Sequence, residues 1–310
     1  MYAGSKAFFY ALSRSALLKR LASRYGLRTS ESFASRFIAG ETIETAITAS
    51  KRLQAQGFLI TLDHLGEGVG TLDAASAATQ EYVRLISVIV AAGIERNISL
   101  KLTQLGIDID RATCVDNLRR ILEPASRCDF FVRIDMENSP YTERTLEIFE
   151  TLWEQQYRNV GVALQAYLLR TERDVQRMNE LGARVRLVKG AYKEPAAVAY
   201  QRKDEVNSAF GRLARQLLDH GTYPAIATHD EDVIAQVRQH AATRGMAADR
   251  FEFQMLYGIR RDLQASLAAS GYPMRVYVPF GREWFPSFMR RLGERPANLS
   301  FVVKALFRER

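Results

Sequence analysis

Two adjacent arginines, Arg290 and Arg291, interrupt an otherwise apolar helical pattern in SFMRRLGERPAN (287–298). Helical spacing puts Ser287, Arg290, Arg291 and Glu294 on one stripe, with Phe285, Phe288, Met289 and Leu292 on the opposite one. Guanidinium forks bind carboxylates bidentately and stay charged, so the pair suits a clamp for an anionic substrate. Taken alone, the same stripe reads equally as a solvated face with an Arg290–Glu294 pair worth a few tenths of a kcal/mol.

Other reactive groups recur at regular places. Asp63, Lys101, Asp135, Gln165, Arg186 with Lys189, Thr228 with His229, Gln254 and Tyr277 each lie at the end of a short β-rich run. The runs are FLITLD (58–63), NISLKL (97–102), FFVRID (130–135), VGVALQ (160–165), RVRLVK (184–189), PAIATH (224–229), FEFQM (251–255) and MRVYVP (274–279). Stretches of helical period separate them, among them 74–92, 142–156 and 205–218. Strands alternating with helices imply a parallel sheet, and eight such units imply an α/β fold of the (β/α)8, TIM-barrel type. The division expected is an N-terminal helical arm over 1–55 and a catalytic barrel over 56–310. Barrel chemistry sits at the C-terminal strand ends, so a ring of polar groups there points to an enzyme, with the 287–298 helix free to lie over the same mouth. A dinucleotide fold would want G-x-G-x-x-G after an early strand; GEGVG (66–70) has the wrong spacing and reads as a loop.

The chain has 310 residues and is 47% hydrophobic, enough for one large core, and its apolar runs are too short to span a bilayer. Cys114 and Cys128 are its only cysteines and lack a paired metal-binding spacing, so no zinc site or disulfide framework is indicated, and a reducing cytoplasmic setting fits. The net charge of +8 is spread along the chain, which argues against nucleic-acid binding. Residues 1–30 carry Lys6, Arg14, Lys19, Arg20, Arg24 and Arg28 without an acidic residue, interleaved with Phe8, Phe9, Leu12, Leu17, Leu18 and Leu21. Such a segment reads as a structural helix, as a basic helix resting on an anionic membrane surface, or as a transit peptide.

RLVKGAYKEP (186–195), ATHD (227–230), FEFQMLYGIR (251–260), RVYVPFG (275–281), RRLGERPAN (290–298) and RFIAGE (36–41) together resemble the proline dehydrogenase family, in its monofunctional bacterial form. The resemblance implies an FAD enzyme of proline catabolism. It would oxidise L-proline to Δ1-pyrroline-5-carboxylate by hydride transfer from C5 to flavin N5, and pass electrons to a quinone or another acceptor. It assigns Lys101, Arg290 and Arg291 to the substrate carboxylate, Asp135, Tyr192, Leu256 and Tyr277 to the pocket, and Glu294 to holding the arginines. Gln165, Arg186, Val188, Gly190, Ala191, Thr228 and His229 would form the flavin site, and Glu67 a gate that pairs with the first arginine. Where the family usually has Tyr-x-x-Arg-Arg-x-x-Glu, this chain has Ser287 in place of the tyrosine, which implies a roomier pocket.

These roles are chemically consistent. Hydride leaves most easily when the ring nitrogen is unprotonated, so the site need only clamp the carboxylate and pack the ring, with no general base in that step. Two other readings stay open on the residues alone. One is a lyase forming a Schiff base through Lys101 or Lys189, and the other is a basic barrel that binds an anionic polymer or a membrane.

Overall fold

The computed structural model describes residues 34–66 and 68–285. Eight parallel strands follow one another round a closed barrel: β1 (Leu59–His64), β2 (Asn97–Leu100), β3 (Phe131–Ile134), β4 (Val160–Gln165), β5 (Val185–Val188), β6 (Ala225–Ala227), β7 (Glu252–Leu256) and β8 (Met274–Phe280). β1 closes onto β8 in a register that runs from Leu59 opposite Arg275 to His64 opposite Phe280. Each expected run coincides with one strand to within a residue or two at either end, so the alternation in the sequence is the alternation of the fold. Four strands stop earlier than expected, among them β5 at Val188 and β6 at Ala227. β2 ends at Leu100, because the chain turns there into a short 3-10 helix (Leu102–Leu105), and β3 ends at Ile134. Lys101 and Asp135 are therefore the first residues beyond their strands.

Helix α1 (Ile43–Ala55) precedes the barrel, and α2 (Leu72–Ala92), α3 (Arg111–Arg127), α4 (Ser139–Glu154), α5 (Thr171–Leu181), α6 (Lys203–His220), α7 (Glu231–Thr243) and α8 (Arg261–Ala269) follow β1 through β7. Side-chain caps set several starts: Thr71 accepts from the Ala74 N–H, and Asp110 from the Thr113 N–H at 2.7 Å. Helix α1 buries Ile43, Ala46 and Ile47 and packs on β1, β8 and α2. It thus fills the outer groove where the barrel closes. The rest of the expected arm, residues 1–33, lies outside the described residues.

Strand alternation separates two interiors. One phase, with Ile60 and Leu62, Ile98 and Leu100, Val132 and Ile134, Val185 and Leu187, and Val276 and Val278, joins the helices in one large apolar core. The opposite phase points into the barrel and is polar: Thr61 and Asp63, Ser99, Arg133, Arg186, Glu252 and Gln254, and Arg275 and Tyr277. Bonds between non-adjacent strands, such as Arg186 on β5 to Ser99 on β2, require these side chains to meet inside. Gly161 on β4 makes room, since a Cβ there would come within 2.4 Å of the Arg184 carbonyl oxygen and 2.8 Å of Arg133 Nη1.

Candidate active site

Four expected site residues meet at the C-terminal mouth of the barrel. Arg186, only 4% exposed, spans the interior: its Nη1 donates to Asp135 Oδ1 at 2.5 Å, its Nη2 to Ser99 Oγ at 2.8 Å and its Nε to Gln254 Oε1 at 2.6 Å. The second Asp135 oxygen accepts from the Tyr277 hydroxyl at 2.6 Å, and the Arg186 guanidinium stands 5.1 Å from the Tyr277 ring centroid. Lys101 Nζ lies 3.6 Å from Asp135 Oδ2 and 2.9 Å from Asp63 Oδ1. Two cations and two carboxylates thus interlock, with aromatic cover from Tyr277.

The expected flavin-binding residues form an adjoining arc on β4, β5 and β6. Gln165 Nε2 donates to the Glu137 carbonyl oxygen at 2.8 Å, which leaves the amide oxygen as an acceptor. Val188 pairs with Gln165 across the β4–β5 ladder. Thr228 is buried, and its hydroxyl accepts from the Asp230 N–H at 3.2 Å. His229 Nε2 accepts from the Leu256 N–H at 3.0 Å, so its proton sits on Nδ1. Burial, helped by Arg260 and Lys189, lowers His229 to about 4, and the imidazole is neutral near pH 7. Gly190 has a φ of +110°, and a Cβ there would stand 2.3 Å from the Tyr167 ring. Only glycine fits. Ala191 is exposed, while Tyr192 and Leu256 are half-buried at the rim. Glu67, Ser287, Arg290, Arg291 and Glu294 lie outside the described residues.

RFIAGE finds its place above the same rim. Ala39 and Gly281 exchange backbone bonds between 36–41 and the end of β8, with Ala39 N–H to Pro279 O and Gly281 N–H to Gly40 O both at 2.9 Å. Gly258 passes so close to Arg36 that a Cβ would fall 1.5 Å from its carbonyl oxygen. Phe37, Ile38, Leu65, Ile259 and Trp284 form a small apolar cluster there, against which Leu256 packs.

Several participants escaped the sequence reading. Asp63 and Gln254 stood out only as strand ends, and Ser99, Glu252, Arg275 and Glu137 not at all. The available signal was period-two polarity inside the strands, as in Arg133 with Asp135 or Glu252 with Gln254, which is unusual for barrel interiors dominated by branched apolar residues. Glu137 accepts from the Thr103 hydroxyl at 2.8 Å and its N–H at 3.3 Å, and burial raises its carboxyl above the usual range. A polar cleft of about 480 Å³ opens at the opposite end of the barrel, among Glu95, Arg96, Arg184 and Arg275. Those residues precede or begin strands, so the cleft is remote from the mouth.

A closed parallel barrel whose strand ends converge on a buried Lys–Asp–Arg–Tyr constellation is the framework of a barrel enzyme. Residues 46–304 match the family model described as proline dehydrogenase. The chain is 41% identical over 302 residues to proline dehydrogenase 2 of Bacillus subtilis (strain 168), covering 97% of this chain and 98% of that protein. It is 42% identical over 279 residues to proline dehydrogenase of Deinococcus radiodurans, covering 89% and 90% respectively. Proline utilization A (PutA) from Bdellovibrio bacteriovorus, in a crystal structure of the form inactivated by N-propargylglycine, superposes with a TM-score of 0.78 at 26% identity, over 84% of this chain. This chain spans about a third of that longer one, 32%. The protein belongs to the proline dehydrogenase family.

Proposed function

We propose that the protein oxidises L-proline to Δ1-pyrroline-5-carboxylate with FAD, as the first step of proline catabolism. The observation that carries this reading is the Lys101–Asp135–Arg186–Tyr277 constellation at the mouth of a barrel of this family. The arc beside it suits a flavin: an amide oxygen on Gln165, a hydroxyl on Thr228, a neutral His229, and Gly190 where no side chain fits. Val188, Ala191 and Arg186 complete the set. Bound FAD supplies the hydride acceptor for proline C5.

The protein's own groups bind and orient. Lys101 with Arg290 and Arg291 holds the substrate carboxylate, Glu294 positions the arginines, and Glu67 closes the site against the first of them. Tyr192, Leu256 and Tyr277 pack the ring. Both Asp135 oxygens are engaged by Arg186 and Tyr277, so this carboxylate serves as an anchor rather than as a base. Arg186 places positive charge where the reduced cofactor gains electron density, which raises its potential.

A Schiff-base lyase is disfavoured by the ion pairs of both candidate lysines. Lys101 is held by Asp63 and Asp135, and Lys189 by Asp230 at 2.6 Å with Asn207 at 2.7 Å, whereas a Schiff base needs a free amine. No described helix is long and apolar enough to cross a membrane. We place the enzyme in the cytoplasm, handing electrons to a quinone-type acceptor, with residues 1–30 as a peripheral contact at the inner face of the membrane and no role for nucleic acid. The visible spectrum of the purified protein tests the central reading. A flavin spectrum that bleaches on anaerobic addition of L-proline is expected; a colourless protein that takes up no FAD overturns it.

A further inference from the structure

Below the mouth, the barrel interior holds a second polar layer that touches neither substrate nor cofactor in the reading above. Arg275 grips Glu252 with two bonds, Nε to Oε1 at 2.8 Å and Nη2 to Oε2 at 2.9 Å, and its Nη1 reaches the Ile60 carbonyl and Glu95. Glu252 Oε1 also accepts from Gln254 Nε2. The other end of that amide, Oε1, accepts from Arg186 Nε at 2.6 Å. Glu252, Gln254 and Arg186 are all under 5% exposed, so no water competes for these bonds.

We infer that Gln254 is a positioning residue for Arg186, and that Glu252, clamped by Arg275, fixes which way the Gln254 amide faces. The inference rests on the flavin reading of the mouth. A glutamine can turn either its N–H or its oxygen toward a neighbour. Arg186 offers only donors, so it is held from this side only if the oxygen faces it, and the amide N–H then needs an acceptor on the far side. Glu252 is that acceptor. Burial alone would raise its carboxyl, but Arg275, the Gln254 bond and Arg133 hold it below the usual carboxylate range, and an ionised carboxylate only accepts. The three acceptors of Arg186 come from β2, from the first residue after β3 and from β7, which fixes the plane of the guanidinium. With the tether from β7 removed, Arg186 tips toward Asp135 and Ser99, away from the arc that holds the cofactor.

The test is a double-mutant cycle on the flavin-loaded enzyme with Gln254→Met, which keeps shape without donor or acceptor, and Glu252→Gln, which lets the amide turn. The bound-flavin midpoint potential is read by dye-coupled reductive titration, alongside KM and kcat for proline. In Gln254→Met the ratio of reduced to oxidised flavin at a fixed potential should fall about tenfold, the equivalent of one charge-assisted hydrogen bond and about 30 mV for a two-electron couple. The fall in kcat should exceed the change in KM. Glu252→Gln should shift the potential the same way, and the double variant no further than Gln254→Met alone, because Glu252 acts through Gln254. A wild-type potential in Gln254→Met with flavin bound overturns the inference while leaving the proposed function intact, and an additive double variant overturns the role of Glu252. A wild type without flavin overturns both readings. If Gln254→Met does not fold, the shift in Glu252→Gln decides alone, and a wild-type potential there refutes the chain.

Discussion

Lys101 Nζ donates to both oxygens of Asp63, at 2.9 and 3.2 Å, and Asp63 is wholly buried. The lysine expected to neutralise the substrate thus already has a counter-ion, set deeper in the barrel, with Asp135 on its other side. Completing the core and the proposed binding of substrate should be separable roles of Lys101. Lys101→Met should destabilise the fold by about 3–5 kcal/mol, because it strands a buried carboxylate. Adding Asp63→Asn should restore most of that loss while the KM for proline stays raised. Chemical denaturation and steady-state kinetics on the three variants check this. A double variant as unstable as Lys101→Met would mean that the Asp63 charge is not what the lysine compensates.

The neutral His229 makes acid stability predictable. Its folded ring takes a proton only near pH 4, whereas the unfolded ring takes one near 6.5, so between these values the unfolded state binds more protons. The stabilisation is therefore complete above about pH 6.5 and is lost as the pH falls through about 4, by about 3 kcal/mol. Unfolding free energies measured across this range should show the slope, and His229→Gln, which still offers an acceptor to the Leu256 N–H, should flatten it. An NMR titration that protonates the His229 ring near pH 6.5 would contradict the assignment.

Gly190→Ala should be costly for two reasons, a φ of +110° and a Cβ 2.3 Å from the Tyr167 ring. A loss of roughly 2–3 kcal/mol is expected, with lower FAD content in the purified protein. Full flavin occupancy with unchanged stability would show that the turn adapts.

Arg290→Met or Arg291→Met should raise the KM for proline about a hundredfold or more with FAD retained, since truncating a desolvated charge pair costs several kcal/mol. An unchanged KM in both variants would return their helix stripe to a solvated face.

Ser287, where the family usually has tyrosine, should weaken discrimination against trans-4-hydroxy-L-proline by about 1–3 kcal/mol, the usual effect of one polar group in a pocket. The ratio of kcat/KM for the two substrates, compared between wild type and Ser287→Tyr, tests this. A ratio that does not move removes Ser287 from specificity.

The sequence by itself determined the number and order of the strands and the face of its strand to which each residue belongs. These follow from local rules: period-two alternation assigns a residue to one face of its strand, and helical runs between strands force parallel pairing. It also carried the family motifs, including RFIAGE, whose role as a cover over the ends of β7 and β8 had no local signal. What it could not show was which inward residues share a height. Arg186 meets Ser99, Asp135 and Gln254 from 87, 51 and 68 residues away, and that encounter is set by barrel closure and strand stagger, to which every strand contributes. For the same reason Asp63 became legible as the counter-ion of Lys101 only once β1 and β2 lay side by side and brought it beneath the lysine. Likewise α1 read as part of an arm, and only the groove left where β8 meets β1 made it barrel wall. Local periodicity says which way a side chain points, but only the closed sheet decides what it finds there.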